Sequence, residues 1–176
     1  MKVTLILVSS VDGCTTRGLE PAYHWASAED QKFFFEQINE HTLIVMGRET
    51  YQSSRSMIRL QPGKQRVVVT STPEKYVHEE VEGQLSFTNA QPAELTKKYA
   101  QAGYAQMLLV GGAQLAGSFL AAGLIDEIFL TVEPRAFGSG RPLFEGVLPR
   151  STHLKLLSAR QLNAQGTLLT KYQVLR

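Results

Sequence analysis

The sequence has few of the features that mark secreted, membrane or metal-binding proteins. Its single cysteine, Cys14, excludes an internal disulfide and suits a reducing compartment, so we expect a cytoplasmic protein. No apolar stretch approaches membrane-spanning length, because Asp126 and Glu127 interrupt the longest candidate. The four histidines show no metal-ligand spacing, and we expect no metal.

Charge is scarce as well. Charged residues make up 19% of the chain, the net charge is +2, and Lys and Arg are scattered rather than grouped. We therefore expect neither nucleic acid nor a membrane as a partner. Apolar residues make up 43% of the 176 residues, which is ordinary globular composition and enough for one sizeable core. The chain is predicted to be a single domain over residues 1–176.

Strand-like and helix-like patterns alternate along the chain. Runs typical of buried strands cover residues 3–9, 42–46, 66–70, 107–110 and 128–132. Helical patterns cover residues 27–39, 92–102 and 113–122. Residues 153–159 and 167–175 resemble a terminal hairpin with a polar break between them. The pattern predicts an α/β fold: a mostly parallel central sheet, helices on both faces and a C-terminal antiparallel hairpin.

Two glycines, Gly111 and Gly112, stand where a predicted strand ends and a helix begins at Ala113. Such a turn leaves backbone N–H groups free at the positive end of the helix dipole, where a phosphate can bind. Glycine also lets the backbone approach a pyrophosphate closely. Taken alone, the pair is equally typical of an ordinary tight turn.

Two other strand ends carry residues that suit a phosphate. Gly47 is followed by Arg48, which can pair bidentately with a phosphate, and by Thr50, which offers a hydroxyl or a helix cap. Thr70 and Ser71 follow another strand. Ligands of open α/β sheets bind outside the carboxyl ends of the strands, so the three turns together favour an extended nucleotide.

Three segments resemble the dihydrofolate reductase superfamily: Val11-Asp12-Gly13, residues 46–51 and residues 111–146. The third segment is more similar to the reductase domain of bacterial bifunctional riboflavin biosynthesis proteins, since it combines a glycine pair, a leucine-rich helix and a late FGSGRPLF stretch. The resemblance implies a dihydrofolate-reductase-like three-layer fold and a homodimer. It also implies hydride transfer from NADPH to a small heterocyclic substrate.

The resemblance also assigns residues to the cofactor. The positions that match those around NADPH in the family are Val8, Ser9, Gly47, Arg48, Thr50, Thr70, Ser71, Gly111, Gly112 and Ala113. The loop over residues 12–25 corresponds to a mobile cover of the reaction site, and Gly13 and Gly18 would let it bend.

Substrate-binding residues are predicted from a second motif. In dihydrofolate reductases a tryptophan precedes, by five residues, the acid that grips the pterin ring, and Trp25 and Asp30 repeat this spacing. Asp30, which would lie near Phe34, can accept two hydrogen bonds from an amino-pyrimidine edge and is the predicted catalytic residue. The alternative is that Asp30 only favours the start of its helix.

The substrate is less well specified than the cofactor. Riboflavin-type reductases have an Asp-Pro pair where this chain has Gln52-Ser53-Ser54, although Arg55 could still meet a substrate phosphate or simply lie on an exposed helix face. We interpret the chain as a 5-amino-6-(5-phosphoribosylamino)uracil reductase-like protein. The alternatives are a dihydrofolate reductase and a nucleotide-binding module without catalysis.

Overall fold

A computed structural model of the protein describes residues 1–18, 20 and 24–175. The strands are β1 Lys2–Ser10, β2 Leu43–Gly47, β3 Gln65–Val69, β4 Leu85–Thr88, β5 Gln106–Leu109, β6 Glu127–Glu133, β7 Leu154–Gln161 and β8 Leu168–Val174. The helices are α1 Ala28–Glu40, α2 Arg48–Ser54, α3 Pro92–Gln101 and α4 Ala113–Ala121, with short 3₁₀ turns at Arg55–Met57 and Pro73–Glu79.

All eight strands form one sheet in the order β4-β3-β2-β5-β1-β6-β8-β7. The pairs from β4 to β6 are parallel, whereas β8 runs antiparallel to both β6 and β7. The predicted hairpin is therefore confirmed, and its second strand is the one that joins the sheet. The carboxyl ends of β1, β2, β3 and β5 consequently lie at one edge, as parallel pairing requires.

The sheet buries side chains on both faces, so its inner strands read as continuous apolar runs. In β1, β2 and β5, odd-numbered side chains such as Leu5 and Val45 pack with Leu95 of α3 and Phe119 of α4. Even-numbered side chains such as Ile44 pack with α1 and α2 on the other face. Successive strand residues point to opposite faces, and this alternation produces the predicted three layers.

Strand β4 is absent from the sequence-based prediction. It has four residues and only one β-branched residue, Thr88, so no run marks it in the sequence. Leu85 and Phe87 are nevertheless buried in the core and alternate with the less buried Ser86 and Thr88. Strand β4 pairs with β3 at the edge of the sheet. No helix in the described part of the chain is both long and apolar enough to cross a membrane.

Candidate functional site

A cleft of about 1070 Å³ starts at the carboxyl ends of the parallel strands and continues over the face of the sheet that carries α1. All but three of the predicted site residues line it: Val8, Asp30, Phe34, Gly47, Arg48, Thr50, Thr70, Ser71, Gly111, Gly112 and Ala113. The three turns recognised in the sequence thus converge on one site. The residues outside the lining are Ser9, Trp25 and Arg55.

The two glycine turns touch each other. The Gly47 N–H donates to the Gly111 carbonyl oxygen over 2.9 Å, which joins the start of α2 to the turn before α4. A Cβ on Gly112 would lie 3.4 Å from Thr50 Oγ1, which is van der Waals contact, so the two turns are packed together. Gly112 is also the N-cap of α4 and provides no side-chain cap. The first N–H groups of α4 are therefore available to an anion at the cleft.

Positive charge lies beside these turns. Arg48 is half exposed, and Glu49 lies 3.8 Å from it and 2.9 Å from a second guanidinium, that of Arg141. Arg141 lines the cleft but is missing from the sequence-based prediction, although the FGSGRPLF stretch contains it. Gly140 makes its placement possible, because a Cβ there would lie 2.0 Å from the Thr16 carbonyl oxygen. Free N–H groups and two arginines fit a ligand that carries a pyrophosphate.

The Asp30 carboxyl belongs to the cleft and not to the helix cap. Ser27 caps α1 by accepting the Asp30 N–H over 3.2 Å. In a full capping box the acid at Asp30 would accept the Ser27 N–H in return. Glu133 of β6 accepts that N–H instead, over 2.8 Å, and a second oxygen of Glu133 accepts the Thr167 hydroxyl over 2.7 Å. The Asp30 side chain is thereby left to the cleft and to Thr131, with which it hydrogen-bonds.

Burial changes the acidity of Asp30. The residue is 7% exposed, and desolvation, helped by the nearby negative charge of Glu133, raises the pKa of Asp30 from 3.8 to about 6. The hydrogen bond from Thr131 acts in the opposite direction, because it stabilises the carboxylate. A carboxyl with a pKa near 6 in a cleft is typical of functional sites, and at neutral pH most of it is ionised.

The three predicted residues outside the lining have different environments. Ser9 is 2% exposed within β1. Trp25 is 3% exposed and packs edge-on against Phe137, with ring centroids 4.9 Å apart, and its Nε1 has no hydrogen-bond partner among the described residues. Arg55 is exposed, does not line the cleft and pairs with Glu79 at 3.0 Å. Arg55 as a substrate contact therefore has no support from its position.

The segment predicted as a mobile cover lies at the rim of the cleft, which Thr15, Thr16 and Gly18 line. Residues 19 and 21–23 of that segment lie outside the described residues. At the start of the segment Asp12 accepts the N–H groups of Phe137 and Gly138, the latter over 2.7 Å. The hydrogen bond from the Ser10 hydroxyl, followed by those from Gly138 and Phe137, lowers the pKa of Asp12. Across the described ranges, no group of three His, Cys, Asp or Glu residues is arranged to hold a metal.

Comparisons with known proteins agree with this geometry. A family model described as the RibD C-terminal domain matches residues 1–168. The uncharacterized protein YwjB of Bacillus subtilis is 31% identical over 120 residues, which span 67% of this chain and 66% of that protein.

Two solved structures show the same fold. A putative riboflavin biosynthesis protein from Shewanella sp. PV-4 superposes with a TM-score of 0.78 at 21% identity, covering 100% of both chains. Dihydrofolate reductase from Enterococcus faecalis, complexed with NADP(H), superposes with a TM-score of 0.68 at 20% identity, covering 99% of this chain and 97% of that one. The dihydrofolate-reductase-like fold expected from the sequence is thereby confirmed.

Proposed function

The chain belongs to the RibD C-terminal domain family, and on that premise we propose that it is an NADPH-dependent reductase of a pyrimidine or pterin-type heterocycle. Its first candidate substrate is 5-amino-6-(5-phosphoribosylamino)uracil, which a structural neighbour from Thermotoga maritima carries in its name. One observation supports the proposal above the others. The buried carboxyl of Asp30 lines the same cleft as both glycine turns.

The cofactor end of the cleft has donors for a dinucleotide. The N–H groups at the start of α4 and the Arg48 guanidinium would hold phosphates, while Thr50, Thr70 and Ser71 supply hydroxyls beside them. Val8 lies in the part of β1 that pairs with β6 alone, beyond its pairing with β5, and its main chain would lie beside the nicotinamide. When bound, NADPH supplies the hydride, and the protein contributes binding, orientation and exclusion of water.

At the substrate end, Asp30 orients the ring that is reduced. In its ionised form the carboxylate accepts two hydrogen bonds from an amino-pyrimidine edge, and Phe34, one helical turn further along α1, offers an apolar surface to the ring. The low polarity around Asp30 strengthens these hydrogen bonds relative to water. We therefore expect kcat/KM to fall as the pH drops below about 6, where Asp30 takes up a proton.

Dihydrofolate reduction is the second candidate function. It is favoured by the spacing of Trp25 and Asp30 in the sequence. Both residues are buried, but Trp25 packs on Phe137 and only Asp30 lines the cleft. The same cleft would then accept a pterin ring in place of a pyrimidine. If the protein binds the cofactor but turns over neither substrate, it is a nucleotide-binding module without catalysis.

The test is NADPH oxidation by the pure protein, followed by absorbance, with each substrate in turn. Asp30→Asn should leave NADPH binding unchanged and lower kcat/KM roughly 10- to 100-fold, which is the worth of a hydrogen bond to a charged group. Glu29→Gln removes the neighbouring acid, which lies outside the cleft lining, and should leave turnover intact. Cofactor binding without oxidation of NADPH by either substrate would reject the reductase and leave the binding module.

A cytoplasmic homodimer completes the proposal. Strand β7 is exposed along its whole length and is the edge of the sheet. Leu154, Leu156 and Leu157 are each more than 40% exposed on it. An exposed apolar edge strand is normally covered, and a second copy of the chain would cover it. Gel filtration with light scattering should give twice the mass of 19.5 kDa, and a monomer would contradict this assembly.

A further inference from the structure

A buried arginine that lines the cleft has a donor nitrogen with no hydrogen-bond partner among the described residues. Arg66 is only 5% exposed, it lines the cleft, and its Nη1 is buried without a hydrogen-bond partner in the described part of the chain. A buried guanidinium that is not paired is costly, so proteins normally provide a carboxylate for it. Asp30 and Glu49 are the only acids among the described residues that line the cleft, and neither pairs with Arg66.

The surroundings of Arg66 add positive charge. Arg59 also lines the cleft and, among the residues that the structure describes, donates to the Ser56 carbonyl oxygen alone, over 3.2 Å. Lys64 donates its Nζ hydrogens to the carbonyl oxygens of Ile38 and Asn39 at the end of α1. Burial lowers the pKa of Arg66, but a guanidinium keeps its charge at neutral pH. This end of the cleft therefore carries positive charge that no described carboxylate of the lining balances.

The position of Arg66 separates it from the cofactor end. Arg66 is level with Ile44 in the register of β3 and β2, near the start of both strands, whereas the glycine turns follow the strand ends. Lys64, two residues before Arg66, contacts Ile38, which lies eight helical residues, roughly 12 Å at 1.5 Å per residue, from Asp30 along α1. Arg66 therefore lies along the cleft from Asp30, at a separation below this length. A ligand that reaches both has a ring at one end and a tail at the other.

We propose that Arg66 binds the anionic tail of the substrate, a phosphate or a carboxylate, whose ring lies at Asp30. The inference deepens the proposed function and rests on it for the identity of the ring. A planar guanidinium suits either anion, because both accept two parallel N–H hydrogen bonds. The anion would supply the partner that Arg66 lacks, and the role assigned to Arg55 from the sequence would pass to Arg66.

The test compares ligands that differ in the tail. One pair is dihydrofolate, which carries carboxylates, and dihydrobiopterin, which carries none. The other is 5-amino-6-(5-phosphoribosylamino)uracil and its dephosphorylated riboside. Affinities are measured by quenching of the fluorescence of Trp25, the single tryptophan. In the wild type the charged member of one pair should bind about 10- to 100-fold more tightly, and the pair that shows this identifies the anion.

Arg66→Met should abolish the affinity difference and leave the binding of the uncharged member unchanged. It should not lower Tm, because an unpaired buried charge is replaced by an apolar side chain of similar length. Arg150→Met removes the same charge from an exposed loop position and should keep the difference. A difference that persists in Arg66→Met, or is absent from both pairs in the wild type, would overturn the proposal.

Arg66→Lys serves if the methionine variant does not fold. It keeps the charge but cannot pair bidentately, so the affinity difference should shrink, and an unchanged difference would also overturn the proposal. A failure of the proposed reductase activity gives a different pattern of binding and turnover from a failure of the anion site. Tail-dependent binding that needs Arg66, without NADPH oxidation by any of the four compounds, rejects the reaction and keeps the anion site. Turnover that ignores the tail and Arg66 rejects the anion site alone.

Discussion

Replacing Asp30 by asparagine should stabilise the protein at neutral pH while it impairs the site. The carboxyl is buried and ionised at pH 7, and its folded-state pKa of about 6 lies above the ordinary value of 3.8. Asparagine has nearly the same shape and carries no charge, and its side-chain oxygen can still accept the hydrogen bond from Thr131. The variant therefore removes the cost of burying the charge.

The size and sign of the effect follow from proton linkage. Between pH 3.8 and 6 the unfolded state loses the Asp30 proton while the folded state keeps it, so wild-type stability falls as the pH rises through this window. A shift of about two units at 1.36 kcal/mol each puts the full cost near 3 kcal/mol above pH 6. If the N–H groups of the asparagine side chain stay unpaired, their desolvation cancels part of this stabilisation. We expect the variant to be about 1 to 3 kcal/mol more stable at pH 7 to 8.

The assay is chemical denaturation of wild type and variant in steps from pH 4 to pH 8. The advantage of Asp30→Asn should be near zero at pH 4 and reach its plateau above pH 6. Glu29→Gln is the matched control on the same turn of α1, since Glu29 is exposed and its hydrogen bond from Asn163 lowers its pKa. Neutralising Glu29 should not stabilise the protein at neutral pH. A variant at Asp30 that is less stable than wild type at pH 8, or an advantage that does not change with pH, would refute the reasoning.

Two further variants test contacts near the site. Glu133→Gln removes the negative charge that helps to raise the pKa of Asp30, so the acidic limb of the pH profile of kcat/KM should move to lower pH; an unmoved limb would contradict this. Gly117→Ala places a Cβ 1.9 Å from the Glu145 carbonyl oxygen, so it should lower the free energy of unfolding by about 1 to 3 kcal/mol although alanine favours helices. Denaturation by urea measures the loss, and a more stable variant would rule out the close packing.

Most of the sheet could be predicted from the sequence because its parallel strands are buried on both faces. Such strands appear as uninterrupted apolar runs, and β1, β2 and β5 are of this kind. Strand β4 could not be found in this way, since its four residues at the sheet edge form no run. Its place depends on pairing with β3, which is a tertiary contact that local propensity does not record.

The two ends of the cleft differ in how far the sequence predicts them. The glycine turns were predicted from local chemistry. A glycine or hydroxyl at the carboxyl end of a parallel strand lies at the ligand-binding edge of the sheet, whatever the order of the strands. Arg55 and Arg66 show the opposite situation. Arg55 was predicted to reach the substrate but pairs with Glu79 and does not line the cleft, whereas Arg66, which was not predicted, lines it from within β3. A charged residue inside an otherwise apolar strand was the available signal for Arg66.

The freedom of Asp30 to serve the cleft depends on the antiparallel end of the sheet. At the start of α1 one N–H group, that of Ser27, needs an acceptor, and the acid at Asp30 would be the local choice. Glu133 of β6 takes that role, and Thr167, which precedes β8, fixes the other oxygen of Glu133. No described residue of the hairpin between 154 and 174 lines the cleft. The hairpin therefore acts on the site at a distance, because its attachment to β6 holds the glutamate that leaves the Asp30 carboxyl to the cleft.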